Sequence, residues 1–410
     1  MCDIEATIQL EGSVTTGLER MAEQEVKRKM QPVESWYSQG RVIFKVPRTC
    51  LQSPDVFKQM IGLRSIDNAY FVCWQSDKYE FTDCDKESAL ANLDQIVTLV
   101  DWSAFLHVWQ HMYGELSGSV ETSIDRFTKY KDTGEKQNAG DQLKATPSFR
   151  VTCNRAGEHH AFGSPDAAAH LGDLVNRYFG WTVKMKQFDI EVVLRITDNS
   201  CSISLPLNRE SLYRRNIIAF GPTTLRATIA NGLIRLADPQ RGDIILDPLC
   251  GTGAIPVEAA CEYADCLVMG VEINDKGVEN SANNIRALSD DDNQCTTGVC
   301  ACVQADSTKL PFRSNFVDCI VTDMPFGKRM GSRASNQTLY PRLLVEFARV
   351  ARVGTGRAVL MTMDNKTVVK WLKHNRYWRL KWTTFINMGG LPAHAYTLHR
   401  TDVLYDEANT

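Results

Sequence analysis

From residue 243 onward, short apolar runs alternate with amphipathic stretches, and no other feature limits the possible folds so tightly. DIILDPL, CLVMGVEI, ACVQAD, DCIVTDM and RAVLMTM are separated by helical segments such as DKGVENSANNIRAL and YPRLLVEFARVARVG. A strand covered on both faces reads as a continuous apolar run, and parallel neighbours need a crossover helix between them. The alternation therefore predicts an α/β fold with a parallel, doubly wound sheet, preceded by the helical run TTLRATIANGLIRLA. In such sheets ligands gather at the carboxyl ends of the strands, so the residues that end each run are the ones to examine.

The chain has 410 residues, too many for one compact core, and two further blocks are expected upstream. In residues 1–95, EATIQLEG and GRVIFKV alternate like strands around the helical stretch TTGLERMAEQEVKRKM, for which Thr16 is the expected N-cap. LRSIDNAYFVCW adds a strand, followed by helical sequence from Lys86 to His111. In residues 96–215, SFRVTCNRAG, a helix over SPDAAAHLGDLVNRYFGW capped by Ser164, and two strands around the turn Asp198-Asn199-Ser200 give a second α+β unit. Within it, residues 130–145 are polar and lack apolar periodicity, which predicts a mobile loop. Residues 216–410 form the α/β unit.

A net charge of −3 provides no overall basic field, so any nucleic-acid footprint has to be a local patch. Asp3 and Glu5 stand where a secretory leader needs positive charge, and no run approaches the ~20 apolar residues of a membrane span. The expectation is a cytoplasmic protein, with a nuclear fraction allowed. Thirteen cysteines, an odd number, fit reduced thiols better than a disulfide framework. Cys295, Cys300 and Cys302 cluster without the paired spacing of a zinc site or a nearby histidine, so no metal is expected.

The first strand ends in LDPLCGTGAIPVEAA, where Gly251 and Gly253 allow a tight turn against a ligand at a helix N-terminus. Pro256 occupies the third glycine position of a dinucleotide fingerprint, which weakens a nicotinamide reading. Glu272 ends the second strand, where a carboxylate can accept from a ribose diol, and Asp306 ends the third, where it can meet an adenine edge. Singly each would be a turn or a helix cap. Together, at consecutive strand ends, they describe one extended ligand.

This pattern resembles class I methyltransferases that use S-adenosylmethionine. The resemblance implies cofactor contacts from Asp247, Pro248, Cys250, Gly251, Gly253, Glu272, Ile273, Asp306 and Ser307. The fourth strand ends in DMPF, which is similar to the D/N-P-P-Y/F motif of enzymes that methylate exocyclic or amide nitrogens, with Met324 in place of the first proline. The lone pair of an aromatic amine is delocalised, so two acceptors must hold its hydrogens and aim it at the methyl donor. Asp323 and the Met324 carbonyl are those acceptors in this reading, Pro325 stiffens the turn and Phe326 stacks on the base.

The middle block, with SISLPLNRESLYRRN, resembles the THUMP domain of tRNA-modifying enzymes, and the first block the ferredoxin-like domain that precedes it. LYRRNIIAFGPTTLR and DMPFGKRMGS extend the likeness to the family of THUMP-type class I methyltransferases that modify guanosine N2 in the tRNA acceptor stem. That resemblance implies RNA contacts from Arg155, Arg209, Arg214, Arg215, Lys328 and Arg329. It also implies a small zinc-containing activator subunit, for which the sheet edge near CLVMGVEI is the expected surface. Asn365 to Arg400 carries seven Lys or Arg and no Asp or Glu, among Trp371, Tyr377, Trp378 and Trp382, and reads as an RNA-facing or partner-facing surface or as a basic helix packed on the sheet. Rival readings are methylation of adenine or of protein glutamine, a tRNA-binding module without catalysis, and a nicotinamide oxidoreductase.

Overall fold

A computed structural model describes residues 6–79, 81, 85–134, 146–158, 160–289, 298–326 and 333–406. The chain runs β1 (Thr7–Ser13), α1 (Glu19–Met30), β2 (Glu34–Ser38), β3 (Arg41–Pro47), α2 (Asp55–Ile61) and β4 (Asn68–Ser76). Next come α3 (Lys86–Ala91), α4 (Ile96–Leu99), α5 (Trp102–Tyr113), α6 (Val120–Thr133), β5 (Ser148–Arg155), α7 (Ser164–Phe179), β6 (Thr182–Val183), β7 (Ile190–Ile196) and β8 (Cys201–Pro206). The last unit holds α8 (Ala227–Ala237), β9 (Ile244–Asp247), α9 (Ala254–Glu262), β10 (Leu267–Glu272), α10 (Asp275–Ser289), β11 (Val299–Gln304) and β12 (Cys319–Asp323). It closes with α11 (Arg333–Val350), β13 (Arg357–Thr362), α12 (Asn365–Leu372), β14 (Trp378–Asn387) and β15 (Pro392–Arg400).

The first two blocks share one sheet of eight strands among the described residues, in the order β2-β3-β1-β4-β8-β7-β5-β6. Antiparallel pairing of β4 with β8, from Tyr70 opposite Pro206 to Ser76 opposite Cys201, carries that sheet across the expected division at residue 95. Periodicity within a segment reveals a strand but not its distant partner. The hairpin around residues 198–200 forms as expected, closed by Thr197 N–H on Ser200 O at 2.9 Å. Two expected caps do not hold. Leu18, not Thr16, precedes α1, and Ser164 is the first residue of α7, behind Gly163. Asp166 caps α7 instead, accepting from Gly163 N–H at 2.9 Å.

The second sheet has the order β11-β10-β9-β12-β13-β15-β14, with parallel pairing from β11 to β13. Ile245, Val321 and Val359 pack with α8 and α9, while Leu246, Ile320 and Leu360 face Tyr340, Leu343 and Phe347 of α11. Alternate residues of each parallel strand thus go to opposite helical layers, which is why these strands are apolar throughout. CLVMGVEI is not at the edge: β10 lies between β9 and β11, and the edges are β11 and β14. Residues 305–318 join β11 to β12 without a helix, leaving Val299 at 69% and Val303 at 37% exposure on one side of β11.

Buried charge joins the two sheets. Glu25 of α1 is 0% exposed and accepts from Ser65 N–H at 2.9 Å, Arg64 N–H at 3.1 Å and Lys29 Nζ at 2.7 Å. Burial alone would raise its pKa, but Lys29 and these hydrogen bonds hold it down to about 2. Arg64 also donates to Glu258 of α9 at 3.2 Å, and Lys29 to Glu262 at 2.8 Å. Asp67 accepts from the Thr228 hydroxyl of α8 at 2.7 Å, and Thr16 O accepts from Asn387 N–H at 2.9 Å. A Cβ on Gly17 would lie 1.8 Å from Phe385 O, so only glycine fits where the amino-terminal unit meets β14.

Candidate active site

The turn after β9 is built around backbone donors. Gly251 (φ 54°) and Gly253 (φ 83°) take the left-handed conformation, and Gly253 N–H closes the turn on Cys250 O at 2.8 Å. A Cβ on Gly251 would meet nothing within 4 Å, so that face of the turn is open. A Cβ on Gly253 would lie 2.6 Å from Ser281 Oγ, so α10 presses close there. Pro256 sits in the first turn of α9, where its missing N–H leaves no helical bond unmade.

Glu272 organises the rim. Its carboxylate accepts from Gly251 N–H at 2.9 Å, Ile273 N–H at 3.0 Å and Asn274 N–H at 2.8 Å. One side chain therefore ties the end of β10 to the glycine turn and holds its charge beside the open face. Ile273 is 62% exposed, available to cover an apolar ring. Asp306 accepts from the Thr308 amide and hydroxyl at 2.8 Å each, and these bonds hold its pKa below the usual carboxylate value. Ser307 is buried and donates to Pro248 O, fixing the loop after β11 onto the turn after β9.

Two carboxylates converge at the centre. Asp247 ends β9 and Asp323 ends the adjacent β12. Burial raises Asp247 to about 7, and burial followed by the charge of Asp247 raises Asp323 well above its ordinary value. Asp247 accepts from Leu249 N–H at 3.0 Å, whereas Asp323 Oδ1 is buried with no hydrogen-bond partner among the described residues. A buried acceptor without a donor is a vacancy for one, and an amine is a donor of the right kind.

The DMPF turn is held from behind by residues that no motif announced. Met324 N–H donates to Met361 O at 2.8 Å and its side chain is buried in the core beneath. Pro325 O accepts from Tyr340 OH at 2.6 Å and Asn336 Nδ2 at 3.1 Å. Tyr340 OH also meets Thr362 Oγ1 at 2.9 Å, and Asn336 reaches Asp364 at 3.2 Å. Phe326 is half-buried. From the opposite side, Asn284 of α10 accepts from Ile218 and Ala219 N–H and donates to Thr252 O at 2.8 Å, clamping residues 217–219 against the glycine turn. A lone Asn or Tyr inside a helix carries no spacing signal, and these roles arise only in three dimensions.

The basic candidates divide. Arg215 is not free for RNA: it donates to Leu63 O at 2.7 Å, Ile66 O at 2.9 Å and Leu212 O at 2.9 Å, and so cements the junction of the two sheets. Arg209 and Arg214 are exposed, the first stacked over Tyr113 at 4.7 Å and the second between Tyr213 and Phe220 at 5.4 and 5.5 Å. Arg155 is half-buried against Gly157 O and His160. Lys328, Arg329 and Cys295 lie outside the described residues. The segment Asn365 to Arg400, read as an RNA-facing or partner-facing surface or as a basic helix on the sheet, is mostly strand: α12 ends at Leu372, Trp378 is buried with its indole N–H on Leu344 O, and Trp382 is 50% exposed on β14.

A parallel sheet with a glycine turn, an acidic rim and an acidic amine acceptor at successive strand ends defines a class I methyltransferase. Residues 214–393 match the RMKL-like methyltransferase domain and residues 132–206 the THUMP domain. The chain is 37% identical to the tRNA (guanine(6)-N(2))-methyltransferase THUMP3 of Homo sapiens, over 97% of this chain and 89% of that one. With the Bos taurus protein of the same name the identity is 36%, over 96% and 88%. The chain belongs to the THUMP3 family of tRNA (guanine(6)-N(2))-methyltransferases. Among solved structures, TrmN from Thermus thermophilus shares the fold with a TM-score of 0.73 at 21% identity, covering 96% of this chain and 99% of that one. A putative methyltransferase complexed with SAH gives 0.68 at 16% identity, covering 97% and 99%.

Proposed function

We infer that this chain transfers the methyl group of S-adenosylmethionine to the exocyclic N2 of guanosine 6 in the acceptor stem of tRNA. The observation that carries the reading is the buried Asp323 Oδ1, unpartnered among the described residues, beside an open glycine turn in a chain of this family. The residues present fit the cofactor: Glu272 and Asp306 offer acceptors to ribose and adenine, Ile273 an apolar cover, and the Gly251 face room for a close approach. When bound there, S-adenosylmethionine supplies an electrophilic methyl group on a sulfonium.

The chain's own part is orientation. A guanine in a paired stem hides N2 in the minor groove, so the base must leave the stack, at about a few kcal/mol, before it can enter the site. Phe326 then stacks on it while Asp323 Oδ1 and Met324 O accept the two amine hydrogens. Pro325 O is already engaged by Tyr340 and Asn336, which fixes the turn that aims the Met324 carbonyl. With its raised pKa, Asp323 is also matched to receive the proton that the amine sheds.

Arg209 and Arg214 are the exposed candidates for phosphate contact. The bare side of β11, with Val299 and Val303, supports a small zinc-containing activator subunit as the covering partner, because the crossover helix that would shield it is missing. The test is to incubate the chain, with and without that subunit, with labelled S-adenosylmethionine and tRNA carrying G6 or A6, and to map the labelled nucleoside. Label in N2-methylguanosine at position 6 is expected. Label in adenosine, in another position or in protein would replace the reading.

A further inference from the structure

We propose that Cys250 and Cys302 form a dithiol that a hydroperoxide closes to a disulfide, and that closure lowers the affinity of the neighbouring turn for its cofactor. The second half of this proposal rests on the cofactor assignment above.

Their placement is specific. Cys250 belongs to the turn after β9 and Cys302 to β11, with β10 between them. Gly270 of β10 is the residue in register with Cys302, and a Cβ there would lie 2.8 Å from Cys250 Sγ. Because position 270 has no side chain, the Cys250 thiol passes over β10 and stops 3.8 Å from the Cys302 sulfur. Cys302 and Cys300 point to the helical side of β11, away from the exposed Val299 and Val303, so a partner on the bare side leaves the pair where it is.

The pair is also chemically unequal. The two sulfurs share a hydrogen bond, and with Cys250 as its donor the Cys302 pKa falls below the ordinary thiol value, whereas burial pushes Cys300 up to about 12. The Cys302 thiolate attacks the peroxide, forming a sulfenic acid and releasing hydroxide. The Cys250 sulfur then attacks the sulfenic sulfur, an S–S bond forms, and the sulfenic oxygen leaves as water with the thiol proton. Two thiols and one peroxide give one disulfide and two waters.

Bonding requires the sulfurs to approach by about 1.8 Å, to the ~2.05 Å of a disulfide. Among the described residues β11 pairs with β10 alone, so it can shift, and a bond to Cys302 draws Cys250 with it. Cys250 O holds Gly253 N–H and the next residue, Gly251, donates to Glu272. Strain on Cys250 therefore reaches both anchors of the cofactor turn.

The experiment uses the full chain, reduced or treated with hydrogen peroxide, with peptide mapping under non-reducing conditions and S-adenosylmethionine affinity by calorimetry. Binding by the reduced protein tests the cofactor assignment on its own, and the mapped link tests the dithiol. The expected result is a Cys250–Cys302 linked peptide and a tenfold or greater loss of affinity, reversed by dithiothreitol and absent in Cys302→Ser. Unlinked peptides after peroxide treatment, a link with unchanged affinity, or an equal loss in Cys302→Ser would each overturn the proposal.

Discussion

Removing the Asp323 carboxylate should lower activity and raise stability together. Oδ1 is buried and bonds to nothing among the described residues, so it is an acceptor held ready for the amine. A preorganised charged acceptor of this kind is worth about 2–4 kcal/mol in the transition state, or about 30- to 1,000-fold in rate at 1.36 kcal/mol per decade. Asp323→Ala is expected to lose that much in single-turnover methyl transfer, with cofactor and tRNA affinities unchanged. Asp323→Asn keeps an acceptor oxygen but cannot titrate, so it should retain more activity and lose the acid limb of the pH–rate profile. Stability moves the other way. Because the folded-state pKa is raised above the unfolded value, the ionised carboxylate weighs against folding, and stability falls as pH climbs from the ordinary carboxylate range toward the folded pKa. Asp323→Asn should therefore gain stability over the parent at pH 8 relative to pH 4, measured by denaturant titration. Near-normal turnover in the alanine variant, or loss of activity accompanied by destabilisation at pH 8, would refute the reasoning.

Arg215→Ala leaves the Leu63 and Ile66 carbonyls without their side-chain donor and should cost about 2 kcal/mol or more by thermal denaturation, with tRNA affinity of the folded protein unchanged. Arg209→Ala combined with Arg214→Ala should weaken tRNA binding and reduce the log–log salt slope by about 1.5, read by filter binding across salt concentrations. Glu25→Gln should flatten the acid side of the stability profile: the depressed folded pKa of Glu25 gives stability that is complete above about pH 5 and lost as pH falls toward 2. Tyr340→Phe removes the hydroxyl donor to Pro325 O and should slow methyl transfer about tenfold while sparing cofactor affinity, since the DMPF turn loosens and the glycine turn does not.

The parallel sheet and its acidic strand ends were legible because strand burial and ligand placement both follow from local sequence. Gly251, Gly253, Glu272 and Asp323 all occupy strand ends or turns, where composition and position carry the same message. Arg215 was misread for a physical reason: a guanidinium that binds phosphate and one that binds three carbonyls are identical in sequence, and only burial separates them. Asn284, Asn336 and Tyr340 were invisible because each serves a turn far away along the chain. The eight-stranded sheet was read as two units since β4 and β8 each alternate convincingly alone, and nothing in either strand names the other.

The bridge between Thr16 and Asn387 has a consequence for synthesis on the ribosome. The amino-terminal strands emerge first, yet their sheet waits for β8 to pair with β4, and their junction with the α/β unit waits for β14. Until α9 arrives, Arg64 and Lys29 lack the partners Glu258 and Glu262, and charges destined for a dry interface stay hydrated. A nascent chain stalled before residue 387 lacks the Thr16–Asn387 contact across that junction. Long-range closure of this kind is slow, because each late contact must gather a long loop first. The fixed spacing between the eight-stranded sheet and the strand ends that carry Asp247 and Asp323 is thus among the last things the chain acquires.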